Sequence, residues 1–108
     1  MSLDTPRAES CPERLTAHEA RQRLDHERAS RLTQLRAVDE AGQDAPEQVL
    51  SAQKGAIEQV LKEITAAFAR VEDGTYGICR GCSQPIPVER LKILPYTRFC
   101  VPCLRGAA

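Results

Sequence analysis

The sequence predicts a mainly α-helical protein, in which an antiparallel coiled-coil hairpin of two helices precedes a small four-cysteine module with a short β-hairpin and short helices. Three observations predict it: a long N-terminal stretch without proline or glycine, a second stretch with apolar residues at heptad spacing, and two C-x-x-C pairs near the C-terminus. Charged residues make up 28% of the 108 residues and aromatic residues only 4%, so we do not expect a large packed core.

The balance of charge narrows the class of function. The formal net charge is zero, whereas domains that bind nucleic acid usually carry a basic excess, so direct DNA binding is not expected. No apolar run approaches the roughly 20 residues of a membrane span, and the N-terminus lacks the apolar segment of a secretory signal. We therefore expect a soluble, cytoplasmic protein. No nucleophile–base pair or phosphate-binding loop stands out, and an enzyme is not expected.

The chain opens with a predicted flexible tail over residues 1–12, where serine, threonine, proline and charged residues occur without periodicity. Its cysteine, Cys11, is interpreted as a free thiol, with a redox sensor or an additional metal ligand as alternatives.

Residues 13–38 contain no proline or glycine and consist mostly of good helix formers. We predict a polar helix there with a thin apolar stripe, formed by Leu15, Leu24, Leu32, Leu35 and Val38.

A turn separates the first helix from the second. Gly42 and Pro46 mark it, and Asp44 followed three residues later by Glu47 has the pattern of a capping box at the start of a helix. We place the tip of the hairpin at about residues 37–46.

The second helix has the clearest periodicity. Its apolar residues step by 7, 4, 3, 4 and 3, which is a heptad seam interrupted only near Lys54. The seam consists of Leu50, Ile57, Leu61, Ile64, Phe68 and Val71. Gly74 is expected to end the helix in a left-handed conformation. Residues 13–74 then form a hairpin about 36 Å long, most simply in a monomer; pairing with a second copy of the chain is the alternative.

Residues 75–108 form the predicted metal module. Residues 75–78 and 83–87 are expected to make a short β-hairpin, and residues 88–94 one or two helical turns ended by Pro95. The two C-x-x-C pairs are separated by seventeen residues, a spacing typical of structural zinc sites, so the predicted ligands are Cys79, Cys82, Cys100 and Cys103. Redox-active dithiols or disulfides are the alternative. Because so short a module cannot form its own core, zinc binding should fold it.

A charged hairpin followed by a C4 finger, joined through the segment VEDGTYGIC, resembles the DksA/TraR family of bacterial transcription factors. The segments PIPVERLKILP and FCVPC match the family pattern in kind and spacing, and the resemblance covers about residues 13–104. It implies a partner, RNA polymerase, whose secondary channel receives the hairpin, and a regulator that modulates initiation through acidic residues at the tip.

The resemblance also implies which residues act at the tip. The family pattern Asp-x-x-Asp-x-Ala falls on residues 36–41, so Asp39 matches the second aspartate and Ala41 the alanine. Arg36 stands in place of the first aspartate, while Glu40 and Asp44 keep the tip acidic.

Other positions depart from the family. Leu94 and Glu63 stand where relatives use basic residues toward guanosine tetraphosphate, so binding of that nucleotide is not favoured, and the chain ends five residues after Cys103. The finger keeps four basic residues as candidate contacts to the channel rim or to nucleic acid: Arg90, Lys92, Arg98 and Arg105. A zinc-ribbon nucleic-acid binder and a thiol redox switch remain alternative functions.

Overall fold

A computed structural model describes residues 15–41 and 45–106 of the chain. Its two long helices are α1 (Ala17–Glu40) and α2 (Glu47–Asp73), and its two short ones are α3 (Val88–Ile93) and α4 (Val101–Gly106). The mainly helical fold predicted from the sequence is therefore confirmed. The tail segment 1–12, Cys11 and the tip residue Asp44 lie outside the described residues.

The first helix begins later than predicted, because a capping box sets its start. The hydroxyl of Thr16 accepts a hydrogen bond from the backbone N–H of Glu19 at 3.0 Å, and the Glu19 carboxylate accepts one from the backbone N–H of Thr16 at 2.9 Å. These bonds satisfy N–H groups that a helix start leaves free. Leu15 consequently lies before the helix and packs against the finger, so its assignment to the helical stripe was wrong.

The second helix begins without a side-chain cap. Among the described residues, Pro46 occupies the N-cap position and no side-chain capping bond is made to the first turn; Asp44, the first residue of the predicted capping box, lies outside the described residues. Proline suits this place because it has no N–H to satisfy. The predicted end is confirmed: Gly74 adopts φ 84°, and its N–H bonds to the carbonyl oxygen of Arg70.

The two long helices run antiparallel, since contacts join opposite ends of each. Arg21, near the start of α1, lies 3.1 Å from Glu72 at the end of α2. Asp39, at the end of α1, lies 2.9 Å from Lys54 in the first half of α2. At 1.5 Å per residue the helices are about 36 and 40 Å long.

The buried core of the hairpin lies entirely at the end nearest the finger. Among the described residues, the buried apolar side chains of the hairpin are Ala20, Leu24, Ile64, Ala67 and Val71. Towards the tip, the seam residues Leu50 and Ile57 are only half-buried, and Leu32 is 43% exposed. The heptad seam is therefore well buried at the base of the hairpin and poorly buried towards its tip.

The finger is built on two cysteine-containing turns and two short helices. The predicted β-hairpin is reduced to one antiparallel bridge between Ile78 and Pro85, because Pro85 and Pro87 cannot donate to a longer ladder. Helix α3 follows Pro87 and ends before Pro95 as predicted. The buried side chains of the finger include the cluster of Cys79, Ile86, Leu91 and Cys100, and also Val88 and Pro95.

Tyr76 joins the two cores. Its ring packs against both the hairpin cluster and the finger cluster, and its hydroxyl donates a hydrogen bond to the carbonyl oxygen of Pro95. Finger and hairpin base are thus one packed unit. None of the helices in residues 15–41 and 45–106 has the length and apolar character needed to cross a membrane.

Candidate metal centre and hairpin tip

The four cysteines predicted as ligands come together at one point. The Sγ atoms of Cys79, Cys82, Cys100 and Cys103 all lie within 4.8 Å of one another. The Cys82 and Cys100 sulfurs are 3.8 Å apart, the edge of a tetrahedron whose centre is about 2.3 Å from each sulfur. The geometry therefore fits a single four-coordinate ion.

Backbone hydrogen bonds shape the first cysteine turn around this point. The N–H of Gly81 and the N–H of Cys100 lie 3.3 and 3.4 Å from the Cys79 sulfur. The turn closes through the N–H of Ser83 to the Cys79 carbonyl oxygen at 2.9 Å, and Ser83 takes a left-handed φ of 65°. Donors aimed at a sulfur stabilise it as a thiolate, the form that binds metal.

The second cysteine turn approaches the first so closely that one position admits only glycine without rearrangement. A Cβ at Gly81 would lie 3.1 Å from the Sγ and 3.3 Å from the Cβ of Cys103. The N–H of Arg80 donates to the carbonyl oxygen of Arg98 at 2.8 Å, which ties the two turns together. The residue between the first two cysteines is therefore part of the metal geometry.

The electrostatics of the sulfurs also call for a cation. Burial disfavours the thiolate of Cys79, but hydrogen bonds from the N–H of Cys100 and from the first cysteine turn outweigh it and lower the pKa of Cys79 to about 6. Interaction with the neighbouring sulfurs, that of Cys79 first, raises the pKa of Cys103 to about 12. The four thiols cannot all ionise beside each other unless a positive ion lies between them, and zinc supplies that charge.

All four coordination positions are filled by protein sulfurs, so the zinc site is closed. A catalytic zinc keeps a position open for water or substrate, whereas structural sites are closed. Cys79 and Cys100 are buried, and Cys82 is exposed on the outer side of the finger. The metal centre thus serves to hold the finger together.

At the opposite end of the hairpin, Asp39 is paired rather than free. The ammonium of Lys54 lies 2.9 Å from its carboxylate, and this bond raises the pKa of Lys54 above its ordinary value. Glu40 ends α1 and Ala41 follows as its C-cap, both exposed, and Arg36 is also exposed. Asp39 and Glu40 are thus placed together near the end of α1.

The four basic finger residues do not form one patch. Arg90 and Arg98 meet at Phe99: the Nε of Arg90 donates to the Phe99 carbonyl oxygen at 3.3 Å, and the Arg98 guanidinium lies 5.3 Å from the ring centre. Lys92 instead faces the hairpin and lines a crevice with residues of α1. Arg105 is exposed on α4.

Two charged residues of interest were not found by the sequence reasoning. Lys54 appeared only as an interruption of the seam, although an interrupted seam position facing an acidic helix end is a signal for an ion pair. Arg70 is only 8% exposed in the last turn of α2. Its sequence position could have indicated this burial. Arg70 lies three residues after Ala67 and directly before Val71, so it belongs to the apolar face of the helix, which packs towards the core.

The comparisons with known proteins find a family model that matches the finger. The model of the prokaryotic dksA/traR C4-type zinc finger matches residues 74–107, the last third of the chain.

Curated relatives match over a stretch of similar length. An uncharacterized protein of Aquifex aeolicus is 49% identical over 43 residues, 40% of this chain and 30% of its own. General stress protein 16O of Bacillus subtilis is 44% identical over 43 residues, 40% of this chain and 26% of its own. YlyA of the same organism is 36% identical over 42 residues, 39% of this chain and 34% of its own. The matched stretch thus spans about a third or less of each relative.

A solved structure extends the likeness to the hairpin. The transcription factor DksA2 from Pseudomonas aeruginosa superposes with a TM-score of 0.55 at 24% sequence identity, over 81% of this chain and 74% of that one. At this identity the match establishes a shared fold.

Proposed function

Because residues 74–107 are a DksA/TraR C4-type zinc finger and the chain has the fold of DksA2, we propose that this protein is a zinc-stabilised transcription regulator that binds bacterial RNA polymerase. The hairpin enters the secondary channel of the polymerase and its acidic tip modulates initiation. The protein acts by binding in the cytoplasm, not as an enzyme. The observation that carries this proposal is the separation of a closed metal centre from an exposed acidic tip by helices of 24 and 27 residues.

The hairpin suits insertion into a channel for two physical reasons. Helices about 36–40 Å long can carry a tip that far from the surface on which the base rests. The base is a packed unit, because Tyr76 contacts both cores and the Arg70 guanidinium donates to the Tyr96 carbonyl oxygen at 3.4 Å. A force that acts on the tip is therefore transmitted through the packed base to the zinc-stabilised finger.

The tip residue proposed to act is Asp39. Its carboxylate is 57% exposed, so it can meet basic groups of the polymerase while Lys54 holds it in place. In this role Lys54 positions the carboxylate and Arg36 reduces the net negative charge of the tip. Charge-assisted bonds from a carboxylate to cationic groups are among the stronger polar contacts.

A first experiment tests binding and its location. A photo-crosslinking residue in place of the exposed Ala37 should label polymerase segments inside the secondary channel, whereas one in place of Thr65, near the base, should label only the channel rim. Absence of binding to core polymerase at micromolar concentrations would overturn the proposal, as would crosslinks from position 37 to the outer surface alone.

A second experiment tests the tip. Asp39→Asn should leave polymerase binding intact and abolish the effect on transcription from a ribosomal promoter. Asp25→Asn is a matched control, because Asp25 is 60% exposed and pairs with Arg28 at 2.7 Å in the same helix but away from the tip. Equal activity of the two variants would contradict the role of Asp39.

A further inference from the structure

The starting observation is an apolar groove on the finger. It encloses about 880 Å³, and a groove of this size can hold several side chains of a peptide. Its apolar lining includes the half-buried ring of Phe99 and four exposed residues, Pro85, Pro87, Val101 and Pro102. Exposed apolar side chains that form one patch mark an interaction site.

The same groove reaches the metal centre. Three of the zinc ligands, Cys82, Cys100 and Cys103, line it, and Cys82 is exposed. A reagent that removes the zinc can therefore approach through the groove. A segment that covers the groove also shields the metal centre.

The part of the chain attached closest to the groove is the one that precedes α1. Helix α1 runs from the finger towards the tip, so the chain before it leaves the hairpin on the finger side. Leu15, directly before the helix, packs against the finger in a small cleft that Pro85 lines. Because Pro85 also lines the groove, Leu15 attaches residues 1–14 at its edge.

The composition of residues 1–14 suits an apolar groove. Apolar side chains at Leu3, Pro6, Ala8 and Pro12 alternate with polar and charged ones. The residue before a proline favours an extended backbone, so both prolines favour an extended segment. Such segments dock in grooves lined by aromatic rings at a low cost in entropy. An extended chain can place Pro12 up to about 10 Å from Leu15, which brings it over the groove.

We propose that residues 3–12 occupy this groove and cover the exposed side of the metal centre. The apolar side chains of the segment contact Pro85, Phe99 and Val101. A bound segment replaces the free tail that the composition of residues 1–12 predicts. The proposal does not depend on polymerase binding.

The strength of this contact follows from the tether. A short flexible linker gives an effective concentration on the order of 1 mM. If the free peptide binds with a dissociation constant of about 0.1 mM, the tethered segment occupies the groove about nine-tenths of the time. Reactions that require an open groove then slow about tenfold.

The test compares two triple variants of the full-length, zinc-loaded protein. Both add three negative charges to the segment, and neither alters a residue of the two buried clusters. The apolar variant consists of Leu3→Asp, Pro6→Asp and Ala8→Asp. The polar control consists of Ser2→Asp, Thr5→Asp and Ser10→Asp.

The apolar variant should release the segment from the groove. The amide resonances of Gln84, Arg90 and Val101, which line the groove, should shift, and transfer of zinc to a chelator should become about tenfold faster. The polar control should change both measurements little. Zinc content and the amide spectra of α1 and α2 establish that each variant is folded.

A synthetic peptide of residues 1–14 tests the contact directly. Added to the apolar variant, it should reverse the amide shifts in a saturable way, with half-saturation at about 0.1 mM, and slow the transfer of zinc. Val101→Asp in the groove should weaken this binding. Leu104→Asp is the matched control, because Leu104 lies in the same helix, is 54% exposed and is outside the groove.

The outcomes are distinct. Equal effects of the apolar and polar variants would overturn the proposal, as would peptide binding that Val101→Asp and Leu104→Asp weaken alike. Groove resonances that are the same in the wild type and the apolar variant would mean that the groove is open to a separate protein, and would also overturn it. Groove resonances of the wild type that shift with protein concentration would place a second copy of the chain there, with the same consequence.

Discussion

The hydroxyl of Tyr76 donates a 2.8 Å hydrogen bond to the carbonyl oxygen of Pro95, and this bond crosses the junction between the segment after α2 and the segment after α3. Burial raises the pKa of Tyr76 to about 12, because the ionised phenolate would lose its hydration at this half-buried position. The junction between hairpin and finger is therefore sensitive to strong base.

Tyr76→Phe tests this junction. At neutral pH the variant should lose roughly 1 kcal/mol in free energy of unfolding, because the Pro95 oxygen loses its donor. The raised pKa gives the wild type a stability contribution that is present below pH 10, the ordinary pKa, and is lost as pH rises towards 12. The variant lacks this loss, so denaturant midpoints of the two proteins should converge between pH 10 and 12. Parallel curves would contradict the prediction.

Removal of zinc should unfold the finger and spare most of the hairpin. The buried cluster of the hairpin contains no zinc ligand, whereas that of the finger contains two, although Tyr76 packs against both clusters. A chelator should therefore abolish amide protection of residues 75–106 while most of the helical circular dichroism remains.

Serine substitutions assign the ligands. Each of Cys79→Ser, Cys82→Ser, Cys100→Ser and Cys103→Ser should reduce bound zinc well below one ion per chain, because the tetrahedron loses a thiolate. Cys11→Ser, the remaining cysteine, is the control and should keep one zinc. Full zinc content in any of the four variants would show that the site has another ligand.

The base of the hairpin should dominate its stability. Leu24 is fully buried, so Leu24→Ala should cost about 2–5 kcal/mol in thermal or denaturant unfolding. Leu32, in the same helix, is 43% exposed, and Leu32→Ala should cost less than about 1 kcal/mol. Similar costs at the two positions would mean that the core extends further towards the tip.

Two glycine substitutions should have opposite signs. Neither Gly55 nor Gly74 has an atom within 4 Å of where a Cβ would stand, so only the backbone decides. Gly55 lies inside α2, and Gly55→Ala should stabilise the protein by about 1 kcal/mol. Gly74 has φ 84°, and Gly74→Ala should destabilise it by about 1 kcal/mol. Unfolding midpoints measure both, and a shared sign would refute the assignment.

The features that could be predicted from the sequence are those that depend on a repeated or fixed spacing of residues. The heptad seam indicated a hairpin, and the C-x-x-C pairs indicated a zinc site, since both follow from distances set by covalent geometry. Gly74 was correctly assigned to the end of α2 because few residues adopt positive φ. These predictions needed no knowledge of how distant segments meet.

Other features depend on contacts between segments that are distant in sequence, and these were not predicted or were predicted at the wrong place. Leu15 fits a helical stripe by spacing, yet the Thr16 cap ends that pattern and directs Leu15 to the finger. The strands of the predicted β-hairpin are one bridge, because prolines occupy its second half. The Lys54–Asp39 pair and the Arg70–Tyr96 hydrogen bond join residues far apart in sequence. Local patterns can mark Lys54 and Arg70 as unusual, but they do not identify the partners.

Because the buried side chains are concentrated near the finger, the two ends of the hairpin are held unequally. The base is fixed by the packing of Leu24, Ile64 and their neighbours, while the tip is held mainly by half-buried contacts and an exposed ion pair. We therefore expect the helices to bend more easily with increasing distance from the base. Amide hydrogen exchange should become steadily faster along both helices towards the tip. The tip of such a hairpin can bend while its base stays fixed on the finger.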